Sequence, residues 1–249
     1  MIGRLPGIPE LSPRLRGTAG LVPACDRLVD VGCDHAWLAI HLVLEGRCPV
    51  AVASDLREAP AARARHNIVR AGLEGRIQVE VAPGLAGVCL QPGDSVVIGG
   101  LGAVEIAEIL RAALVGLPSF PSVAAVVLQP QKSAPLLRNS LYRMGFHFVD
   151  EALAEERGRI HPILSVLPGE PVPEPDPLDC LLGPILRRKR PALFGRYALR
   201  EMTLLARRIH GMESASSSGA GRRPGELDPA EGRRLLRLAK ELLEEEGRA

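Results

Sequence analysis

Short apolar runs and longer segments of helical periodicity alternate along the first two thirds of the chain. The runs that predict β-strands lie at residues 27–32, 50–54, 77–81, 95–98 and 123–128. Apolar residues at helical spacing lie between and after them, at 36–45, 58–71, 104–114 and 133–144. Because parallel strands need long crossover connections, this alternation predicts an α/β fold around a largely parallel sheet that is buried on both faces.

The last two predicted strands, at residues 146–152 and 160–167, break this alternation. Only a short polar stretch, from Glu155 to Arg159, joins them. Such a link is too short to return the chain for parallel pairing, so the two strands should form an antiparallel hairpin at the edge of the sheet. A mostly parallel seven-stranded sheet with an antiparallel edge hairpin is typical of Rossmann-like class I methyltransferases, whereas dinucleotide dehydrogenases usually keep all strands parallel.

Beyond the predicted sheet the pattern changes. Residues 168–177 are dense in proline and predict an extended linker. Amphipathic spacing returns at residues 191–212 and 229–246, on either side of a Ser/Gly-rich stretch at 214–228 that should be mobile. Two amphipathic helices with such a link predict an antiparallel α-helical hairpin. We therefore predict a Rossmann-like domain at 1–168, a proline-rich linker at 169–179 and a helical hairpin domain at 180–249.

Composition narrows the class of protein. The 249 residues are 46% hydrophobic and 24% charged, which is ordinary for a globular protein. The first six residues, MIGRLP, contain no apolar stretch that could act as a secretory signal, and no run of 18 apolar residues predicts a membrane span. The five cysteines include no C-x-x-C pair, which argues against a disulfide framework and a metal site. The expected location is the cytoplasm, without a membrane or a metal.

Charge is distributed unevenly along the chain. Residues 1–179 carry 16 Lys and Arg against 20 Asp and Glu, a net charge of −4, whereas residues 180–249 carry 15 against 9, a net charge of +6. A basic region attached to a mildly acidic body predicts nucleic-acid binding. A solvated helical face explains the same charges equally well, so charge alone leaves both interpretations open.

A glycine turn with neighbouring acids follows the first predicted strand, in the sequence DVGCDHA at residues 30–36. Ligands of a doubly wound sheet bind at the carboxyl ends of the strands, and Gly32 would let the backbone turn tightly there. The segment lacks the G-x-G-x-x-G pattern that cradles a pyrophosphate, and Asp34 would repel one. A cationic ligand such as S-adenosylmethionine would be tolerated. The alternative is that Asp34 caps the next helix and that His35 is a surface residue.

Two further segments should reach the same edge of the sheet. Asp55 follows the second strand, where a carboxylate can accept hydrogen bonds from both ribose hydroxyls of an adenosine; the alternative is a helix cap. The sequence IGGLGA at residues 98–103 removes side chains where a substrate base would meet a methyl donor. Gln129 and Gln131, after the fifth strand, offer amide groups to a base edge, and a polar loop is a nearly equal alternative.

These segments together resemble the bacterial tRNA (adenine(22)-N1)-methyltransferase family. The similarity is carried by LSPRL at residues 11–15, VDVGCDHAWL at 29–38, NI at 67–68, AGL at 71–73, VIGGLG at 97–102, LQP at 128–130 and LGPI at 182–185. The resemblance covers nearly the whole chain. It implies a Rossmann-like catalytic domain that binds S-adenosylmethionine and a C-terminal helical hairpin that helps to hold tRNA.

The resemblance also implies roles for individual residues. Gly32, Asp34 and His35 would line the methionine end of the cofactor, and Asp55 would take the ribose. The complete cofactor-binding prediction comprises Asp30, Gly32, Cys33, Asp34, His35, Asp55, Leu56, Gly84, Leu85, Gly99, Gly100 and Leu101. The predicted catalytic residues, as acceptors beside a base that becomes cationic, are Asp34, Gln129 and Gln131. The predicted RNA contacts are Arg14, Arg187, Arg188, Lys189, Arg190, Arg207 and Arg208.

Four positions depart from the pattern of this family. Pro83 stands where the family has an aspartate that would meet the adenine amino group, and Ala103, Gln131 and His161 also differ. These changes leave open a non-catalytic or weakly active RNA-binding relative, or a methyltransferase with another substrate. A nicotinamide-dependent oxidoreductase is disfavoured because the dinucleotide fingerprint is absent. The modified nucleotide and the oligomeric state, monomer or homodimer, stay open.

Overall fold

The computed structural model describes residues 8–115, 121–172, 174–217 and 228–246, without the side chains of 215–217 and 245–246. The hexapeptide MIGRLP, in which the sequence predicts no secretory signal, lies outside these residues. The chain divides into two compact units, Met1–Pro175 and Asp176–Ala249. The described part of the first unit contains a β-sheet, and that of the second is helical.

Seven strands of the described residues form one sheet in the first unit. They are β1 (Arg27–Val31), β2 (Val50–Asp55), β3 (Ile77–Val81), β4 (Asp94–Leu101), β5 (Ala125–Pro130), β6 (Phe146–Glu156) and β7 (Arg159–Pro168). Their order in the sheet is β3-β2-β1-β4-β5-β7-β6. The first five strands pair in parallel, whereas β7 is antiparallel to both β5 and β6. This arrangement confirms the predicted parallel sheet with an antiparallel edge hairpin.

Helices cover both faces of the sheet, as the buried strands require. They are α1 (Pro13–Leu21), α2 (Trp37–Leu44), α3 (Glu58–Arg70), α4 (Ala103–Leu114) and α5 (Ala134–Arg143). Leu28 of β1 packs in one core cluster with residues of α2 and α3. Its neighbours Val29 and Val31 belong to a second cluster with residues of α4 and α5. The alternating side chains of this central strand therefore pack into two separate cores, one on each face of the sheet.

The apolar pattern does not predict helix α1, because few of its residues are buried. Thr18 and Ala19 are its buried residues. The helix begins instead with a polar signal: the hydroxyl of Ser12 accepts a hydrogen bond from the N–H of Leu15, and a proline occupies the first turn. Polar start signals of this kind locate a helix that periodicity misses.

The edge hairpin is longer than the sequence predicts. A two-residue turn joins its strands, with φ of 51° at Arg157 and 74° at Gly158. Glu155, Glu156 and Arg159, expected in a polar link, are paired within the strands. Prediction fell short because polar residues at the exposed tip of a hairpin carry no apolar alternation.

The second unit contains four helices in its described residues. They are α6 (Pro177–Leu182), α7 (Pro184–Lys189), α8 (Phe194–Ser217) and α9 (Pro229–Glu246). α8 and α9 confirm the two predicted helices, whereas the short α6 and α7 were not expected. α6 begins inside the predicted linker. Its start is capped by Asp176, which accepts a hydrogen bond from the N–H of Leu178 at 2.8 Å. Residues 214–217 of the predicted mobile stretch extend α8, and residues 218–227 lie outside the described part of the chain.

Candidate active site

A cleft of about 1300 Å³ lies at the carboxyl ends of the parallel strands. The segments that directly follow β1, β2, β3 and β4 line it, as expected for a doubly wound sheet. The structure brings together in this lining all the residues predicted to bind the cofactor: Asp30, Gly32, Cys33, Asp34, His35, Asp55, Leu56, Gly84, Leu85, Gly99, Gly100 and Leu101.

The turn after β1 joins three strand ends at Gly32. Its φ is +77°, and an added Cβ would lie 2.8 Å from the carbonyl oxygen of Gly99 near the end of β4. The N–H groups of Gly32 and Cys33 donate to the carbonyl oxygen of Ser54 in β2, at 2.9 and 3.1 Å. A side chain at position 32 would force these strand ends apart, so the glycine is required for packing as well as for access to a ligand.

Two buried carboxyl groups lie against this turn. Asp30 is 5% exposed and Asp55 is 9% exposed. Burial, and then the negative charge of Asp55, raise the pKa of Asp30 to about 7. The Asp55 carboxylate accepts hydrogen bonds from the backbone N–H groups of Asp34 at 3.4 Å and Arg57 at 3.1 Å. The N-cap residue of α3 is Arg57, so Asp55 is not the cap of that helix.

Asp34 reaches the exposed mouth of the cleft. Its backbone has a left-handed φ of 46°, and its side chain, which is 57% exposed, pairs with Arg63 at 2.7 Å. The ring nitrogen Nε2 of His35 lies 3.7 Å from the same carboxylate, and the His35 ring stacks on Trp37. The N-cap position of α2 is Ala36, so Asp34 does not cap this helix. A carboxylate in this position can face a cationic ligand.

The loop after β3 and helix α4 form an apolar section of the cleft. Gly84 has a φ of +60°, and an added Cβ would lie 2.8 Å from Cγ1 of Ile109 on α4. Pro83, Leu85 and the largely exposed Leu56 complete this section. Such a surface suits a flat aromatic ring, and Pro83 contributes no carboxylate to it.

The end of β4 leaves open space beside the acids. The pairing of β4 with β5 shifts between Gly99 and Leu101, and Gly100 in between has a φ of +77°. An added Cβ at Gly100 would lie 3.8 Å from the amide nitrogen Nε2 of Gln131. The backbone N–H of Gln131 donates to the carbonyl oxygen of Leu101 at 2.9 Å. This hydrogen bond fixes the backbone at Gln131, and Gln131 lines the cleft as predicted.

Gln129, predicted as a second amide for the substrate, lies behind the cleft instead. It is fully buried; its Oε1 accepts a hydrogen bond from Nη1 of Arg14 at 2.8 Å, and its Nε2 donates to the carbonyl oxygen of Pro130 at 3.0 Å. Both ends of the amide are therefore used inside the protein. Arg14, predicted as a surface contact for RNA, is only partly exposed, lines the cleft and also pairs with Glu156 at 3.3 Å.

Other residues of the lining were not predicted at all. The polar ones among them belong to α1, the start of α3, α4 and the β6–β7 hairpin: Ser12, Thr18, Arg57, Arg63, Glu105, Glu108, Glu156 and Arg157. The Ser-Pro start of α1 and the Arg-Gly turn are local signals that could have located both elements. No local signal shows that these elements meet, because Arg14 and Glu156 are 142 residues apart in the chain.

The predicted RNA contacts of the second unit fall into two groups. Arg187 is partly buried and pairs with both Asp179 and Asp176, so its charge is compensated within the unit. The other predicted residues are exposed on α7, its C-terminal cap and α8: Arg188, Lys189, Arg190, Arg207 and Arg208.

The described residues contain no group of three or more His, Cys, Asp or Glu side chains placed to hold a metal ion. The five cysteines, which all fall within the described ranges, are free thiols. None of the helices that the structure describes is long and apolar enough to cross a membrane.

The sequence comparisons match this site to known methyltransferases. Residues 11–164 match the family described as "Methyltransferase domain". The tRNA (adenine(22)-N(1))-methyltransferase of Bacillus subtilis is 29% identical over 189 residues, which cover 74% of this chain and 78% of that protein.

Solved structures extend the similarity over almost the full length. A Streptococcus pneumoniae protein described as a candidate tRNA (m1A22) methyltransferase is 30% identical, with a TM-score of 0.76 over 94% of this chain and 100% of that one. Its complex with S-adenosyl-L-methionine has a TM-score of 0.75 at 28% identity, over 92% of this chain and 99% of that one. The chain therefore belongs to the methyltransferase-domain family, in the group of the tRNA (adenine(22)-N1)-methyltransferases.

Proposed function

We propose that this protein transfers the methyl group of S-adenosylmethionine to N1 of an adenine in tRNA. The observation that carries the proposal is the glycine turn at Gly32 with the buried acids Asp30 and Asp55, which together would suit a positively charged adenosyl donor. The Streptococcus pneumoniae relative is described with S-adenosyl-L-methionine bound, and the Bacillus subtilis relative is named for adenine 22 of tRNA. Both relatives support the same cofactor and substrate here.

The residues present fit this cofactor. Asp30 and Asp34 would face its ammonium and sulfonium groups, and Asp55 would accept hydrogen bonds from its ribose. The apolar section beside Leu56 would take its adenine ring. When bound, the cofactor supplies an activated methyl group. Pro83 offers the adenine amino group no side-chain acceptor, so we expect apolar contact and shape to contribute more to adenine recognition than a hydrogen bond at this position.

Methylation of the substrate base requires the protein to position it and requires little acid–base catalysis. N1 of adenine has an in-plane lone pair at neutral pH, so no proton has to be removed before methylation. N1 lies on the Watson–Crick edge, and the base must therefore be unpaired when it enters the cleft. Gly99 and Gly100 leave room for it, and Gln131 offers an amide group to its edge. The methylated base is cationic, and the Asp34 carboxylate would stabilise that charge.

The second unit would hold the tRNA through its phosphates. Its exposed basic residues are Arg188, Lys189, Arg190, Arg207 and Arg208. Contacts of this kind release counterions, so tRNA affinity should fall steeply with salt. Because the substrate is tRNA, we also propose that the protein acts in the cytoplasm.

The decisive experiment incubates the protein with labelled S-adenosylmethionine and bulk unmodified tRNA, followed by nucleoside analysis. We expect the label in 1-methyladenosine. Asp34→Ala should abolish this labelling, whereas Glu58→Ala, which removes an exposed carboxylate outside the cleft lining, should leave it intact. Label in another nucleoside would contradict the assignment of N1.

Calorimetry with the same cofactor separates two kinds of failure. If the protein binds S-adenosylmethionine but labels no tRNA, the cofactor site stands and the proposed substrate is wrong. If the protein binds tRNA and shows no heat with the cofactor at millimolar concentration, it is a non-catalytic RNA-binding relative and the enzyme proposal fails.

A further inference from the structure

The cleft has two ends of different charge. What we term the acidic end holds three acids, Asp30, Asp34 and Asp55, at the ends of β1 and β2. Two arginines, Arg57 and Arg63, also line it, and Arg63 pairs with Asp34, so the acids still outnumber the bases. What we term the basic end consists of Arg14 on α1, Glu156 at the end of β6 and Arg157 in the turn that follows. The turn that carries Arg157 leads into β7, and β7 lies four strand spacings from β2 in the sheet order, or ~19 Å along its edge. The distance leaves room for two ligands side by side.

Close packing fixes α1 at the basic end. An added Cβ at Gly17 would lie 2.6 Å from Cδ1 of Ile163 in β7 and 3.3 Å from Cβ of Ala154 in β6. The helix therefore rests directly on the edge hairpin, and a larger residue at position 17 would lift it away. This contact determines where Arg14, one turn earlier on α1, enters the cleft.

Arg14 is held in one orientation by two neighbours. Its Nη1 donates to Gln129 and its Nε donates to Glu156. A hydrogen bond from Ser12, and then the charge of Arg14, hold the pKa of the Glu156 carboxyl below its usual value, so this partner is ionised at neutral pH. A guanidinium has five N–H donors, and these contacts engage two of them. The arginine is thus preorganised to donate to a further acceptor in the cleft.

Arg157 supplies a second positive charge at the same end. It is exposed, lines the cleft, and no ion pair within the described part of the chain engages its guanidinium. The turn fixes its backbone, because Arg157 and Gly158 both have positive φ, as the tight two-residue turn of a hairpin requires. Two arginines against one glutamate leave this end with a net positive charge.

We propose that Arg14 and Arg157 form a clamp for a phosphate group that flanks the adenine to be methylated. The inference rests on the proposed function, since a nucleotide substrate brings its own phosphates to the cleft together with the base. A base that leaves its stack swings about the backbone, so an adjacent phosphate lies at the entrance of the pocket that receives it. Guanidinium groups match phosphate oxygens in charge and in geometry.

The first test compares two exposed arginines of the edge hairpin, Arg157 in its turn and Arg159 at the start of β7, in the full-length protein. Arg157→Ala should weaken tRNA binding about five- to tenfold at fixed salt and lower the salt dependence by about one phosphate contact. Arg159→Ala, which removes an exposed arginine that does not line the cleft, should change tRNA binding less than about twofold. Calorimetry should show the same affinity for S-adenosylmethionine in both variants. Equal losses of tRNA affinity in the two variants would overturn the clamp.

A second measurement identifies the phosphate. Full-length tRNA is assembled with one uncharged methylphosphonate on the 5′ or the 3′ side of the target adenine. At one of the two positions the replacement should weaken wild-type binding as much as Arg157→Ala does, and should have no further effect on that variant. Independent, additive losses at both positions would show that Arg157 touches neither phosphate.

Arg14 is tested with a variant that keeps its charge. Lysine cannot hold Gln129 and Glu156 in the same fork, so Arg14→Lys should lower kcat/KM for tRNA about tenfold without changing cofactor affinity. Arg16→Lys, on the exposed side of the same helix, is the control. If the wild-type protein methylates tRNA but the variants show none of these differences, the clamp alone is contradicted. If the wild-type protein methylates no tRNA, the proposed function is contradicted.

Discussion

The acidic and basic ends of the cleft are held in place by different means. At the acidic end, backbone groups hold the carboxylate in place. The N–H groups of Asp34 and Arg57 donate to Asp55, within turns that directly follow neighbouring strands. At the basic end, side chains hold each other, because Arg14 is fixed by Gln129 and Glu156 from distant parts of the chain. A local change should therefore damage the acidic end alone, whereas the basic end depends on how the first helix packs on the last hairpin.

The largest effect is expected for Asp55→Ala. The variant removes the proposed acceptor of the ribose hydroxyls and the partner of two backbone N–H groups, so cofactor affinity should fall about a hundredfold, or ~2.7 kcal/mol. Calorimetry with S-adenosylmethionine measures this loss, and tRNA affinity should not change. If tRNA affinity fell equally, the two ends of the cleft would not be independent.

Gly32→Ala tests how the acidic end is assembled. Both this variant and Gly46→Ala place alanine at a positive φ, but an added Cβ meets the Gly99 oxygen at position 32 and no heavy atom within 4 Å at position 46. We expect Gly46→Ala to cost about 1 kcal/mol of unfolding free energy and Gly32→Ala about 2 kcal/mol more. Chemical denaturation of both variants measures the difference. Equal losses would mean that the close approach of Gly32 to Gly99 contributes nothing to the stability of the fold.

The pKa of Asp30 predicts a pH dependence that belongs to the acidic end. Burial keeps this carboxyl neutral below a pKa of about 7, and a cationic cofactor favours the ionised form. Cofactor affinity should therefore rise between pH 6 and pH 8, by up to about tenfold, and Asp30→Asn should flatten the profile. Without cofactor the sign is reversed. The unfolded chain loses this proton near the ordinary aspartate pKa of 3.8, so the contribution of Asp30 to folding stability falls as pH rises from about 4 to about 7. An unchanged pH profile in Asp30→Asn would remove Asp30 from the cofactor site.

The smallest effect is expected for Gly17→Ala, which acts on the basic end. The added methyl group would press on Ile163 and displace α1, so kcat/KM for tRNA should fall about two- to threefold at constant cofactor affinity. Gly20→Ala on the same helix meets no heavy atom within 4 Å and serves as the control. A loss of cofactor affinity in Gly17→Ala would show that α1 also supports the acidic end.

The same contrast explains what could be read from the sequence. Strands β1 to β5 follow from apolar runs, and the residues of the acidic end follow from glycine turns and acids directly after those strands. Gln129 was misplaced because its position after β5 does not reveal that Arg14 occupies its amide. Arg157 was missed because an arginine in a turn has no local signal that separates a cleft residue from a solvated one. Both depend on contacts between segments that only the folded structure brings together.

The dependence of α1 on the edge hairpin also has a consequence during synthesis. The helix leaves the ribosome first, yet the surface under Gly17 does not exist until β6 and β7 have been made. The residues of the acidic end and of the apolar section beside it all lie in the chain up to α4, which ends at Leu114. During synthesis from the N-terminus, the residues predicted to bind the cofactor are therefore all present before the hairpin that positions Arg14.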